Sequence, residues 1–171
     1  MCGIFGFTGH SSWKTSVLLQ ALCIADEVRG QHSTGLVVQT STSDFFMSKK
    51  ALRGKSFVAR GHCAFLFNRK YGNALGHNRF ATAGAVNDRN AHPFAVKVGA
   101  GKWNFGVHNG IVGDKEVIAR DYGVRNHDVD SAVALGAIGK LQLQGYEVID
   151  AIEEVTNFIS STPSRRSRIS S

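Results

Sequence analysis

Cysteine, proline and charge are all scarce in this chain of 171 residues. It has three cysteines, two prolines and 19% charged residues. Three scattered thiols, Cys2, Cys23 and Cys63, are an odd number and too few for a disulfide framework. They point to a reducing, cytoplasmic setting. No pair of them has metal-ligand spacing, and the histidines show no helical metal spacing, so neither a metal nor a cofactor is expected. No uninterrupted apolar run approaches membrane-spanning length, so no membrane association is expected. The start, Met1 to Gly6, has no basic segment leading into an apolar stretch, which argues against a signal peptide. What is present is a globular composition with 43% hydrophobic residues, long enough for one domain with a real core. The formal net charge of +7 raises the question of nucleic acid. Arg165, Arg166 and Arg168 supply part of it at the very end. The rest is mixed with acids and has no aromatic-interleaved basic stripe, so nucleic-acid binding is not expected.

Periodicity gives a coarse map. Residues 3–9 read as a glycine-crowded strand. Glycine weakens a strand, so another group is expected to approach that backbone closely. Residues 13–28 read as an amphipathic helix with Trp13, Val17, Leu18, Ala21, Leu22, Ala25 and Val28 on its apolar face, ended by Arg29-Gly30. Leu36–Gln39 and Phe45–Met47 read as strands joined by a Ser/Thr/Asp turn. Residues 49–71 are mixed and expected to be helical. A strand over 74–80 precedes a loop at 81–84. Val96–Val98 and Trp103–His108 form a hairpin pattern across Gly99–Lys102. Helical patterns follow at 115–121, 130–143 and 147–159, the last with Val148, Ile149, Ile152, Val155 and Ile159 on one face. The domain is expected to span 1–160, followed by a disordered Ser/Arg-rich tail at 161–171. Strands grouped ahead of helices indicate an α+β fold.

Cys2 carries the first chemical signal. Loss of Met1 would leave a thiol and a free α-amine on one residue. An α-amine titrates near ~8. It can therefore take the thiol proton, directly or through a water. While Met1 remains, that nitrogen is an amide and cannot serve. Position alone is weak support, because most second-position cysteines are incidental.

Six blocks in order strengthen it: Met1–Gly6 (MCGIFG), Arg29–Gly35 (RGQHSTG), Gly76–Gly84 (GHNRFATAG), Asn90–Phe94 (NAHPF), Val107–Ile111 (VHNGI) and Asp128–Ser131 (DVDS). Together they resemble the glutaminase domain of the class II, N-terminal-nucleophile glutamine amidotransferases. They are similar to the domains of glucosamine-phosphate synthase and amidophosphoribosyltransferase. The resemblance implies a four-layer αββα sandwich and hydrolysis of L-glutamine through a γ-glutamyl thioester on Cys2. It assigns the substrate carboxylate to Arg79, whose planar fork can pair with both oxygens. It assigns the substrate ammonium to Asp130, which could equally be a helix cap. Thr82 would line the glutamine site, and Asn109 and Gly110 would form the oxyanion hole. Each oxyanion donor is worth about 3 kcal/mol of barrier in comparable acyl-transfer enzymes. Arg29 is expected to support the N-terminal strand. His77, His92 and His108 are expected to be structural hydrogen-bonders, and Cys23 and Cys63 to be buried.

The match also has departures. Ala83 stands where some members carry histidine, and His32 replaces an acid common in the Arg-Gly-Gln block. The family's domains continue past the second late helix into further strands. This chain turns into Ser161–Ser171, so the sandwich is expected either in a minimal form or without its C-terminal strands. An uncovered sheet edge would favour self-association or a partner strand. No acceptor-synthase segment is recognisable, so ammonia would pass to an acceptor on another chain or simply be released. The alternatives are a non-catalytic partner-binding or regulatory relative, and an N-terminal-nucleophile amidase acting on another amide.

Overall fold

A computed structural model of the chain describes residues 1–40 and 44–161. The expected turn between the second and third strands therefore falls largely outside the described residues. So does the Ser/Arg-rich tail beyond Ser161.

The elements run β1 (Gly3–Thr8), α1 (Trp13–Ala25), a 3₁₀ turn (Asp26–Arg29), β2 (Ser33–Gln39), β3 (Phe45–Lys50), α2 (Gly54–Ala59), α3 (Phe65–Asn68), β4 (Asn73–Arg79), β5 (Phe94–Gly99), β6 (Lys102–Gly106), α4 (Lys115–Asp121), α5 (Asp130–Leu143) and α6 (Val148–Ser161). The order of strands and helices is the one the periodicity predicts, except in 49–71. There β3 runs on to Lys50 before two short helices begin.

β1, β4, β2 and β3 form one antiparallel sheet in that order, and β5 and β6 form a second. The α1–α3 side of the large sheet holds the first core, with Phe5, Leu19, Leu36, Phe57 and Leu66 buried. A second core, including Ile118, Val133, Ala137, Leu141 and Val155, lies among α4, α5 and α6. The sheets meet through Phe45, whose ring packs 5.7 Å from Trp103 and 4.7 Å from Phe105. Helices, sheet, sheet and helices thus follow one another, the four-layer αββα order. Among the described residues the second sheet has two strands. Beside it an apolar cleft of about 530 Å³ opens between the layers, walled by Val37, Leu75, Phe105, Leu135 and Ile152.

The central strand β4 is covered on both faces, which explains its buried polar residues. Asn78 points to the α1 side and donates to the Cys23 carbonyl at 2.7 Å. His77 and Arg79 point to the other side and are buried there. Cys23 and Cys63 are buried, free thiols, and burial pushes the Cys23 thiol up to about 12.

The structure corrects the inward face of α1. Trp13, Val17, Leu18 and Val28 are exposed, and the residues turned inward are Ser16, Leu19 and Cys23. The helix is apolar on most sides, so spacing does not select one face. Ser16 can be buried because its hydroxyl bonds the Leu66 carbonyl at 2.7 Å and lies 3.2 Å from the Tyr71 hydroxyl. The helix itself is started by Ser12, whose hydroxyl accepts the Thr15 N–H.

Candidate active site

β1 starts at Gly3, so Cys2 is held in place by the strand that follows it. In the antiparallel register Gly3 pairs with Asn78. That pairing carries Cys2 alongside the exit of β4. The Phe80 N–H donates to the Cys2 sulfur at 3.3 Å. Arg29 Nε donates to the Cys2 carbonyl at 3.1 Å, a contact that holds the N-terminal segment. The Cys2 N–H donates to the side-chain oxygen of Asn109 at 2.9 Å.

Arg79 ends β4 and is 3% exposed. Its guanidinium donates to the carbonyls of Ala83 and Ala85, folding the loop after β4 back over it. Burial pulls its pKa down, while Cys2 and Asp130 act in the opposite sense. Asp130 is the first residue of α5, and the cap position belongs to Val129. The Asp130 carboxylate accepts the Val112 N–H at 2.6 Å and the Ser131 N–H at 2.7 Å. Cys2, Arg79, Thr82, Gly110 and Asp130 line one cavity of about 20 Å³, room for about one water molecule. Asn109 joins them through its bond to Cys2. All six residues singled out in the sequence therefore meet in one place.

The histidines divide. His108 behaves as a hydrogen-bonder: Nδ1 lies 2.9 Å from the Ser131 hydroxyl, and its carbonyl lies 3.3 Å from His77 Nε2. This ties the Asn109 loop to the start of α5. His92 does not fit the expected role, because neither ring nitrogen has a hydrogen-bond partner among the described residues. It stacks on His77 at 4.2 Å and meets Phe94 edge-on at 4.5 Å. Burial pushes His77 down to about 4 and His92 to about 2, so both rings are neutral at physiological pH. Lys49 supports this segment from β3, donating to the carbonyls of Arg89, Ala91 and Pro93.

Two contributors, Phe80 and His32, were not assigned a role from the sequence. Phe80 acts through its backbone N–H, which any residue type but proline provides. His32 accepts the Ala81 N–H on Nδ1 at 2.8 Å and packs against the Phe80 ring. It thereby fixes the peptide next to the one that reaches Cys2. The departure at position 32 is the only clue the sequence offers to that contact.

A thiol held by an N–H donor, a buried guanidinium, a carboxylate and an Asn-Gly pair, all on an αββα scaffold, define a class. The chain belongs with the class II, N-terminal-nucleophile glutamine amidotransferase domains. Its homologues include the isomerizing glutamine–fructose-6-phosphate aminotransferases of Campylobacter jejuni, 36% identical over 113 residues, and Streptococcus mutans, 27% identical over 166 residues. These alignments cover 66% and 95% of this chain but only 17% and 26% of those proteins, so the chain spans about a quarter or less of their length. The fold matches the glutamine phosphoribosylpyrophosphate amidotransferase of B. subtilis, with a TM-score of 0.69 and 18% identity over 92% of this chain and 33% of that one. A structure described as the allosteric regulatory enzyme of purine biosynthesis matches with a TM-score of 0.70 and 19% identity, at the same coverage. No family model matches the chain.

Proposed function

We propose that this domain hydrolyses the side-chain amide of L-glutamine, with Cys2 as nucleophile. The observation that carries the proposal is the meeting of Cys2, hydrogen-bonded to Asn109, with Arg79 and Asp130 around one cavity. A free amino acid substrate needs a cation for its carboxylate and an anion for its ammonium. Arg79 and Asp130 supply them beside the thiol.

With Met1 removed, the Cys2 α-amine takes the thiol proton and the thiolate attacks the amide carbon. The Phe80 N–H favours the thiolate by pointing at the sulfur. Negative charge then collects on the amide oxygen. Asn109 has committed its oxygen to the Cys2 nitrogen, so its NH₂ end serves as a donor, joined by the Gly110 N–H. The α-ammonium returns its proton to the departing nitrogen and ammonia leaves. Water then cleaves the γ-glutamyl thioester to glutamate.

The cavity is too small for glutamine as it stands. Binding requires the substrate carboxylate to replace the Ala83 and Ala85 carbonyls on Arg79, which moves the loop bearing Thr82. Asp130 already accepts two N–H groups and the Ser131 hydroxyl, but a carboxylate has about four acceptor sites, so one remains for an ammonium.

The ammonia goes to an acceptor-synthase domain, fused or on a partner chain, in keeping with relatives several times longer than the stretch matched here. No helix among the described residues is long and apolar enough to cross a membrane. Free thiols at Cys2, Cys23 and Cys63 fit a reducing cytoplasm. The test is ammonia release from L-glutamine by the native chain and by Cys2→Ala, with intact mass reporting whether Met1 is gone. The native chain, once it lacks Met1, should release ammonia and the variant should not. Equal rates would rule the mechanism out.

A further inference from the structure

Cys2 also borders a second cavity, of about 300 Å³, lined with Ile4, Asp26, Arg29 and Asn109. Asp26 opens the 3₁₀ turn, and its carboxylate lies against the backbone of Gly3. A Cβ added at Gly3 would overlap both carboxylate oxygens. Asp26 Oδ2 is shielded from solvent and has no hydrogen-bond partner among the described residues. An unpartnered, shielded carboxylate oxygen is costly, so its presence calls for a donor. Arg29, on the same turn, makes no hydrogen bond to it: its Nε donates to the Cys2 carbonyl and its Nη2 faces the Met1 sulfur.

The missing donor is accounted for by maturation of Cys2. As an amide, the Cys2 nitrogen has one N–H, and Asn109 accepts it. As an α-ammonium it has three, and two remain for other acceptors. We infer that Asp26 is the positioning residue for the nucleophile's own base, its carboxylate holding the Cys2 α-ammonium from within this second cavity. The role in turnover rests on the glutaminase proposal; the contact itself does not. The proton balance is simple. One proton moves from sulfur to nitrogen as the thiolate forms, the carboxylate stabilises the resulting cation, and the same proton passes to the leaving nitrogen. The logic is that of a buried acid steadying a catalytic base without being protonated itself. The other ionisable groups acting on Asp26 are Arg29 on its own turn and the Cys23 thiol of α1. Cys23 is pushed up to about 12 and stays neutral over the range of interest.

The decisive measurement needs no turnover. Chains that begin at residue 2 and carry Cys2→Ser are labelled with ¹⁵N at the terminal amine, and that amine is titrated by NMR with and without Asp26→Asn. The carboxylate should hold the amine pKa up by about one unit, a shift typical of a close opposite charge. An amine that titrates identically in both would overturn the inference. In the active chain, Asp26→Asn should lower kcat/KM for L-glutamine about tenfold and move the acid limb of its pH profile to lower pH. In chains that retain Met1, where Asp26 Oδ2 has no partner among the described residues, the same substitution should leave the melting temperature unchanged or raise it. A lowered melting temperature with an unmoved amine would make Asp26 merely structural and end the proposal. Asp26→Ser gives the same readings should the amide not be accommodated. If the native chain releases no ammonia, the glutaminase proposal fails while the amine titration still decides on Asp26.

Discussion

The side-chain oxygen of Asn109 accepts the backbone N–H of Cys2 at 2.9 Å, joining residues 107 positions apart. That bond orients the Asn109 amide, since only the oxygen can accept. On the proposed mechanism, Asn109→Ala removes a hold on the nucleophile and a donor to the developing oxyanion together. We expect kcat for glutamine hydrolysis to fall by about 10²–10³-fold. Asn109→Asp keeps the accepting oxygen and loses the donor. It should melt near the native temperature yet lose activity to a similar extent. Ammonia release and thermal melts check both.

Arg79→Lys keeps the charge and loses the planar fork. KM for L-glutamine is expected to rise roughly tenfold or more, with a smaller change in kcat. Arg79→Ala should reduce turnover of L-glutamine further and leave an amide without an α-carboxylate unaffected. If Arg79→Ala scarcely alters turnover of the physiological substrate, that substrate is an amide other than glutamine.

The paired rings of His77 and His92 make stability sensitive to acid. Their pKa values, about 4 and about 2, lie below the value of about 6.5 for an exposed histidine. Both are neutral when folded, whereas the unfolded chain takes up protons as pH falls through 6.5. The stability they contribute is complete above about pH 6.5. It is lost progressively on acidification toward the folded values. Between pH 7.5 and 5.5 each histidine should cost about 1 kcal/mol. His92→Phe keeps a ring that does not titrate. Urea unfolding at the two pH values should show the gap narrowing by about that amount. An unchanged gap would mean His92 is not held neutral.

Lys49 donates to three carbonyls of the segment bearing His92 and sits 4.6 Å over the Phe94 ring. Lys49→Met retains the stem and leaves those carbonyls short of a donor. A loss of about 2 kcal/mol in unfolding free energy is expected. Chemical denaturation of the variant measures it directly.

How much of this was legible depended on the kind of signal. β1, β4, the β5–β6 hairpin and the last three helices stood out because their apolar spacing or glycine turns are local properties. The burial of Ser16 in place of Trp13 was not legible. It depends on the Leu66 carbonyl, 50 residues away. Cys2, Arg79, Thr82, Asn109, Gly110 and Asp130 were singled out through ordered blocks, since no periodicity marks them. Asp26 and Phe80 left no trace, one being a lone acid beside a distant glycine and the other acting through a backbone N–H.

The large sheet also sets a scale for the chemistry. Cys2 precedes β1, Arg79 ends β4 and Ser33 begins β2, with Gly3 opposite Asn78 and Ser33 opposite Arg79. The spacing between thiol and guanidinium is therefore counted out in backbone hydrogen bonds, as on a ruler. Exposed side chains along those strands are free to change without altering it. A slip of one residue in β1 would carry the thiol about 3.4 Å along the strand and turn it to the opposite face.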